Sequence, residues 1–139
     1  MIVLTGATGA LGGAIALSLA KAKGQLIVLG RNQDLLEVLL KKLTPFASVQ
    51  AYAVNVMDRD DLIRVKKEIV KQYDRIDVLI NAVGGNLPGA VIPDDKSVFD
   101  LSESDFDEVV DLNLKGTLLP SLVFGEVMRG LDVVEKVCN

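Results

Sequence analysis

The chain has 139 residues, half of them apolar and only 4% aromatic, and carries a net charge of −4. That length and apolar content suit one domain, residues 1–139, with a real core; interspersed charges without a basic stripe exclude a large phosphate-neutralising surface for nucleic acid. Histidine is absent and the single cysteine is Cys138, which excludes an internal disulfide and any Ser-His-Asp or Cys-His mechanism, and argues against a metal site built on His or Cys.

Ile2-Val3-Leu4 is a short aliphatic strand entering the string Thr5-Gly6-Ala7-Thr8-Gly9-Ala10-Leu11-Gly12. Apolar residues then recur at helical spacing from Ala10 to Lys23, until Gly24 stops them. No Lys or Arg precedes this apolar opening and glycines interrupt it, so a signal peptide is not expected. Leu26-Ile27-Val28-Leu29 reads as a buried second strand, ended by Gly30-Arg31-Asn32, with Asn32 placed to cap a helix running to Leu43. Residues 49–54 form a third expected strand, and Asp58-Arg59-Asp60-Asp61 opens a helix whose acidic cap and first turn suit the macrodipole. Leu62, Val65, Ile69 and Val70 supply its inward stripe, and residues 76–80 make a fourth strand running into Asn81-Ala82-Val83-Gly84.

Residues 83–101 show little periodicity and are punctuated by glycine and proline, the mark of a functional or mobile loop. Ser102 then sits as the N-cap of a helix carrying Phe106, Val109, Val110, Leu112, Asn113 and Leu114. From Gly116 to Met128 two readings stay open: one long helix held by packing, or a break followed by a fifth strand near residues 122–127. Residues 131–137 read as a short terminal helix. Strands alternating with helices give an α/β class, a three-layer Rossmann-like parallel sheet of four or five strands with helices on both faces. No run approaches the ~18 apolar residues of a membrane span, so the expectation is a cytoplasmic protein with no membrane partner.

A strand that ends in glycines and opens a helix aims backbone N–H groups and a positive helix end at an anion, with room for a pyrophosphate. Here Gly6 makes the turn, Gly9 lets the backbone approach, and Gly12 lets the helix pack closely; the alternative use of these small residues is packing alone. After a second strand, an acidic side chain selects a free ribose 2′-hydroxyl and a basic one a 2′-phosphate. Arg31 stands there with no carboxylate before Asp34, which favours NADP over NAD. Asn55, just past the third strand, is placed either to hydrogen-bond an adenine edge or to make a turn.

The string from Thr5 to Gly12 resembles the nucleotide-binding signature of the short-chain dehydrogenases/reductases, with Thr5, Gly6, Thr8, Gly9, Leu11 and Gly12 in its cofactor-binding positions. Asn81-Ala82-Val83-Gly84 is similar to the Asn-Asn-Ala-Gly segment after that family's fourth strand, and Asn113 to the helix asparagine of its catalytic tetrad. The longer strings "INAVGGNLPGA" and "DLNLKGTLLP" resemble the fructuronate (D-mannonate) oxidoreductase branch. The resemblance implies an NAD(P) site that includes Asn81, Ala82 and Gly84 near the ribose. It departs in the glycine spacing of 6, 9 and 12, in Ile80 before Asn81, and in Val83 for alanine.

The family's chemistry also requires a Ser and a Tyr-x-x-x-Lys after a fifth strand, with tyrosine as acid/base and lysine lowering its pKa. Tyr52 is followed four residues later by Val56, and Tyr73 by Asp77, so neither matches. The resemblance therefore leaves Asn113 as a catalytic remnant, and the expectation is a dinucleotide-binding domain without hydride transfer, with binding of the adenosine half alone as the narrower form. The string "VFGEVMRGLDVVEKV", residues 123–137, resembles the C-terminal segment of cyclophilin-type prolyl isomerases. Two origins fit, a chimera, which is favoured, or a truncated reductase; in the chimera "VFGEV" would be the fifth strand. The alternative is a structural fold, chimeric or truncated, with no ligand function; in both readings apolar helix faces such as Leu114, Leu118, Leu119 and Leu122, exposed by loss of half a parent domain, point to a homo-oligomer.

Overall fold

The computed structural model describes residues 1–130, and in them strand and helix alternate. The order is β1 (Ile2–Thr5), α1 (Ala10–Lys21), β2 (Leu26–Gly30), α2 (Gln33–Leu43), β3 (Val49–Ala53), α3 (Arg59–Tyr73), β4 (Val78–Asn81) and α4 (Glu103–Met128). Two short 3-10 turns, Pro88–Ala90 and Val98–Asp100, interrupt the long stretch before α4. The four strands form one parallel sheet in the order β3-β2-β1-β4. This is the Rossmann-like α/β fold expected from the alternation.

Period-two side chains split the core into two layers, because successive residues of a strand point to opposite faces. Val3, Ile27 and Leu29 pack with Leu62, Val65 and Ile69 of α3 and Val123, Phe124 and Val127 of α4. Leu4, Leu26 and Val28 face the other way, onto Ala16 and Ala20 of α1 and Leu36 and Leu43 of α2. The two central strands are the most buried, as expected where helices cover both faces.

The helix starts follow the expected chemistry. Asn32 accepts from Leu35 N, Asp58 from Asp60 N and Asp61 N, and Ser102 from Asp105 N. These bonds satisfy backbone donors that have no partner inside the helix.

The open reading of residues 116–128 resolves as helix, and "VFGEV" is not a fifth strand. Gly116 and Pro120 lie four residues apart on the buried face of α4. A Cβ on Gly116 would stand 3.1 Å from Val83 Cγ1. Close packing thus overrides the poor helix propensity of both residues. The terminal helix expected over residues 131–137, with the last seven residues of the cyclophilin-like string, lies outside the described residues.

Candidate functional site

The C-terminal ends of all four strands converge on one cleft of about 210 Å³. Gly6, Thr8 and Gly9 come from the turn after β1, Gly30 and Arg31 from the end of β2, and residues 54–57 from the exit of β3. Ala82, Val83 and Gly84 follow β4, and Leu112 of α4 closes that side. After β1, the chain builds β2 and β3 on one side of it and then returns to place β4 on the other. The cleft lies at that reversal, the usual ligand position in open parallel sheets.

Gly6 adopts φ +65°, and a Cβ there would stand 2.5 Å from Ala82 O. The turn therefore requires glycine both for its left-handed conformation and for the approach of the β4 exit. Gly12 is buried against the Gly6 and Ala7 backbone with no room for a side chain, so it seats the first turn of α1 on the glycine turn. Gly9 is the N-cap of α1, and no side chain caps that helix. Nor is any residue of its first turn acidic. The other three α-helices each receive a capping oxygen from a side chain, whereas the first N–H groups of α1 stand open beside the cleft. Open donors, a positive helix end and a floor without side chains fit the phosphates of a dinucleotide.

Of the residues singled out in the sequence, Gly6, Thr8, Gly9, Arg31, Asn55, Ala82 and Gly84 line the cleft; Thr5, Leu11, Gly12, Asn81 and Asn113 do not. Thr5 is fully buried, its Oγ1 accepting from Ala82 N at 3.3 Å and donating to Asn81 Oδ1 at 3.5 Å. Asn81 turns toward α4 and donates to Ser121 Oγ (3.0 Å) and Thr117 O (3.4 Å). Leu11 is 69% exposed on α1. Asn113 directs its amide at Gly85, donating to Gly85 O (2.8 Å) and accepting from Gly85 N (3.3 Å), and also donates to Val109 O (2.8 Å).

Asn55 makes the turn and also faces the cleft: its Oδ1 accepts from Met57 N at 3.1 Å. Its own N–H donates to Asp61 Oδ2 at 2.8 Å, and Arg64 bonds both Asp61 Oδ1 and Ala53 O. The Asn55 N–H, then Arg64, hold the Asp61 carboxyl below the usual carboxylate range. Arg31 is exposed and has no ion-pair partner among the described residues.

Gly30, Val56, Val83 and Leu112 also line the cleft and were not singled out. For Gly30 the signal was its place at the end of a buried strand; a Cβ there would come 3.0 Å from Thr8 Cγ2. Leu112 had none beyond its neighbour Asn113. Among the described residues no group of three or more His, Cys, Asp or Glu is arranged to hold a metal, and no helix is long and apolar enough to cross a membrane.

The short chain dehydrogenase family model matches residues 1–132, which includes the first ten residues of the cyclophilin-like string. An uncharacterized oxidoreductase of Bacillus subtilis, UxuB, is 33% identical over 139 residues, covering 94% of this chain and 50% of the relative. A solved structure from Haemophilus influenzae, assigned as a D-mannonate oxidoreductase and holding NAD, superposes with a TM-score of 0.81 at 30% identity over 91% of this chain and 49% of its own. An alcohol dehydrogenase from Thermococcus sibiricus in complex with 5-hydroxy-NADP gives 0.76 at 26% identity, over 91% and 52%. The chain spans about half the length of the curated relatives it matches.

Proposed function

The chain belongs to the short-chain dehydrogenase family, and we propose that it forms the part of such an oxidoreductase that binds NAD(P), without carrying out hydride transfer by itself. The observation that carries this reading is the uncapped start of α1, set behind the Gly6 turn in the cleft shared by all four strands. In this reading the pyrophosphate rests on the first N–H groups of α1, between Gly6, Thr8 and Gly9. The adenosine half lies toward Arg31 and Asn55, and the second nucleoside toward Ala82 and Gly84.

Arg31 supports NADP over NAD. It lines the cleft at the end of β2 as an exposed guanidinium with no ion-pair partner among the described residues, a position where a cation favours a 2′-phosphate. When bound, the nicotinamide would supply or accept a hydride. The groups that would move the accompanying proton, a Ser and a Tyr-x-x-x-Lys, do not occur in that pattern within residues 1–139, and Asn113 alone cannot replace them. The domain is read as one unit over residues 1–139, in a cytoplasmic setting.

Calorimetric titration with NADPH, NADH, ADP and 2′,5′-ADP tests the reading. Micromolar binding with NADPH ahead of NADH is expected; no binding at millimolar ligand would overturn it. Turnover of a sugar acid or ketone by the isolated chain would overturn the catalytic part.

A second reading concerns assembly. Leu114, Leu118 and Leu122 are 64%, 48% and 47% exposed along α4, on the side away from its buried stripe of Gly116, Pro120, Val123 and Phe124. A helix apolar on opposite faces expects cover on both, which supports a homo-oligomer.

A further inference from the structure

At the exit of β3 the cleft is lined by buried Val54 and Val56 and by Met57, with Asn55 set among these apolar side chains. The turn uses most of what Asn55 can offer a ligand. Its N–H donates to Asp61 Oδ2 at 2.8 Å, its carbonyl oxygen accepts from Asp58 N at 2.9 Å, and its Oδ1 accepts from Met57 N at 3.1 Å. Because the Met57 N–H can only donate, it fixes which end of the amide is turned into the loop. What remains is Asn55 Nδ2, with two hydrogens to give and no partner among the described residues. A carboxylate at this position could serve Met57 N with one oxygen and accept from a ligand with the other. An amide whose one oxygen is turned to Met57 presents a donor instead.

In the dinucleotide reading above, on which this inference rests, the pyrophosphate sits after β1, the ribose near Arg31 at the end of β2, and the base beyond it at β3. A purine held in that order turns toward Asn55 the edge farthest from its ribose, and the substituent at position 6 projects beyond the ring there. We propose that Asn55 sets base specificity by donating to this substituent, and so favours a 6-oxopurine nucleotide over a 6-aminopurine one. The carbonyl oxygen of hypoxanthine accepts from Nδ2. The amino group of adenine sets a donor against a donor, and that bond is lost.

Calorimetric titration with ADP and IDP tests this, because the two share ribose and diphosphate and differ only along that edge of the base. IDP should bind the wild type roughly fivefold more tightly than ADP, the scale of one hydrogen bond. Asn55→Asp keeps an oxygen on Met57 N and turns a second one to the base, so it should reverse the order and favour ADP. Asn55→Ala removes the donor and should bring the two affinities within about twofold; it serves as a second route if Asn55→Asp does not fold. Wild-type affinities that are equal or favour ADP, or an IDP preference that persists in either variant, would overturn the proposal and leave the binding reading standing. Failure of the wild type to bind either nucleotide would overturn both.

Discussion

Gly9 is the residue at which binding and folding are most cleanly separated. Its φ of −76° and ψ of 166° are open to any residue, and a Cβ would meet Gly6 O at 3.3 Å, a contact relieved by a few tenths of an ångström. Gly9→Asp therefore places a carboxylate at an N-cap that lacks one, a change worth only a few tenths of a kcal/mol in favour of the helix, since glycine is itself a fair N-cap. The same carboxylate occupies the place proposed for the pyrophosphate. Thermal unfolding should show unchanged or raised stability while NADPH affinity falls by roughly two orders of magnitude or more; retained affinity would refute the phosphate assignment. Gly6→Ala should behave oppositely, losing stability by more than about 1 kcal/mol because φ is positive and the methyl meets Ala82 O. Asp61 gives a test in pH. Its carboxyl is held below the ordinary range by the Asn55 N–H and by Arg64, so both bonds are intact above the ordinary aspartate pKa and are lost as pH falls through the lowered value. Hydrogen exchange at the Asn55 amide should lose protection only on that acid side, and Asp61→Asn should remove the pH dependence. The glycine positions were legible in the sequence because spacing between a strand and a helix constrains them. The directions of Asn81 and Asn113 were not, since both answer to partners 28 to 40 residues away.

At the scale of elements, the strands and first three helices followed from local pattern. Caps at Asn32, Asp58 and Ser102 stand where the sequence put them, because capping needs only a short polar side chain three residues before a free N–H. α4 was ambiguous for a physical reason: Gly116 and Pro120 disfavour helix, and tertiary contact with Val83 outweighs that preference. Burial distinguishes the two readings. In a strand Val123 and Phe124 would face opposite sides, whereas both are buried here and Leu122 is half exposed, as helical spacing requires. Phe124 is among the largest fully buried side chains and joins α4 to the α3 face of the sheet. Phe124→Ala should cost about 3–5 kcal/mol in denaturant unfolding; a loss below about 1 kcal/mol would contradict helical packing of this segment.

For the molecule as a whole, the two faces of α4 set opposite demands. One face carries Val123, Phe124 and Val127 and completes the core over β1 and β2. The other carries Leu114, Leu118 and Leu122, with Val110 and Met128 also exposed, among Asp111 and Lys115, which pair with each other at 2.6 Å. Such a row covers more apolar surface than scattered exposed side chains and favours contact with another protein surface. A second copy brings the same row, so two-fold association can cover both at once. Wild-type protein should then sediment as a dimer or larger species at micromolar concentration, and Leu118→Lys, which places a charge at the centre of the row, should shift it to monomer. The cleft opens at the strand ends, and Leu118 does not line it. The monomeric variant should therefore keep its affinity for 2′,5′-ADP. A wild-type protein that sediments as a monomer would refute the assembly reading, while loss of nucleotide binding together with the dimer would show that the two surfaces are linked through α4.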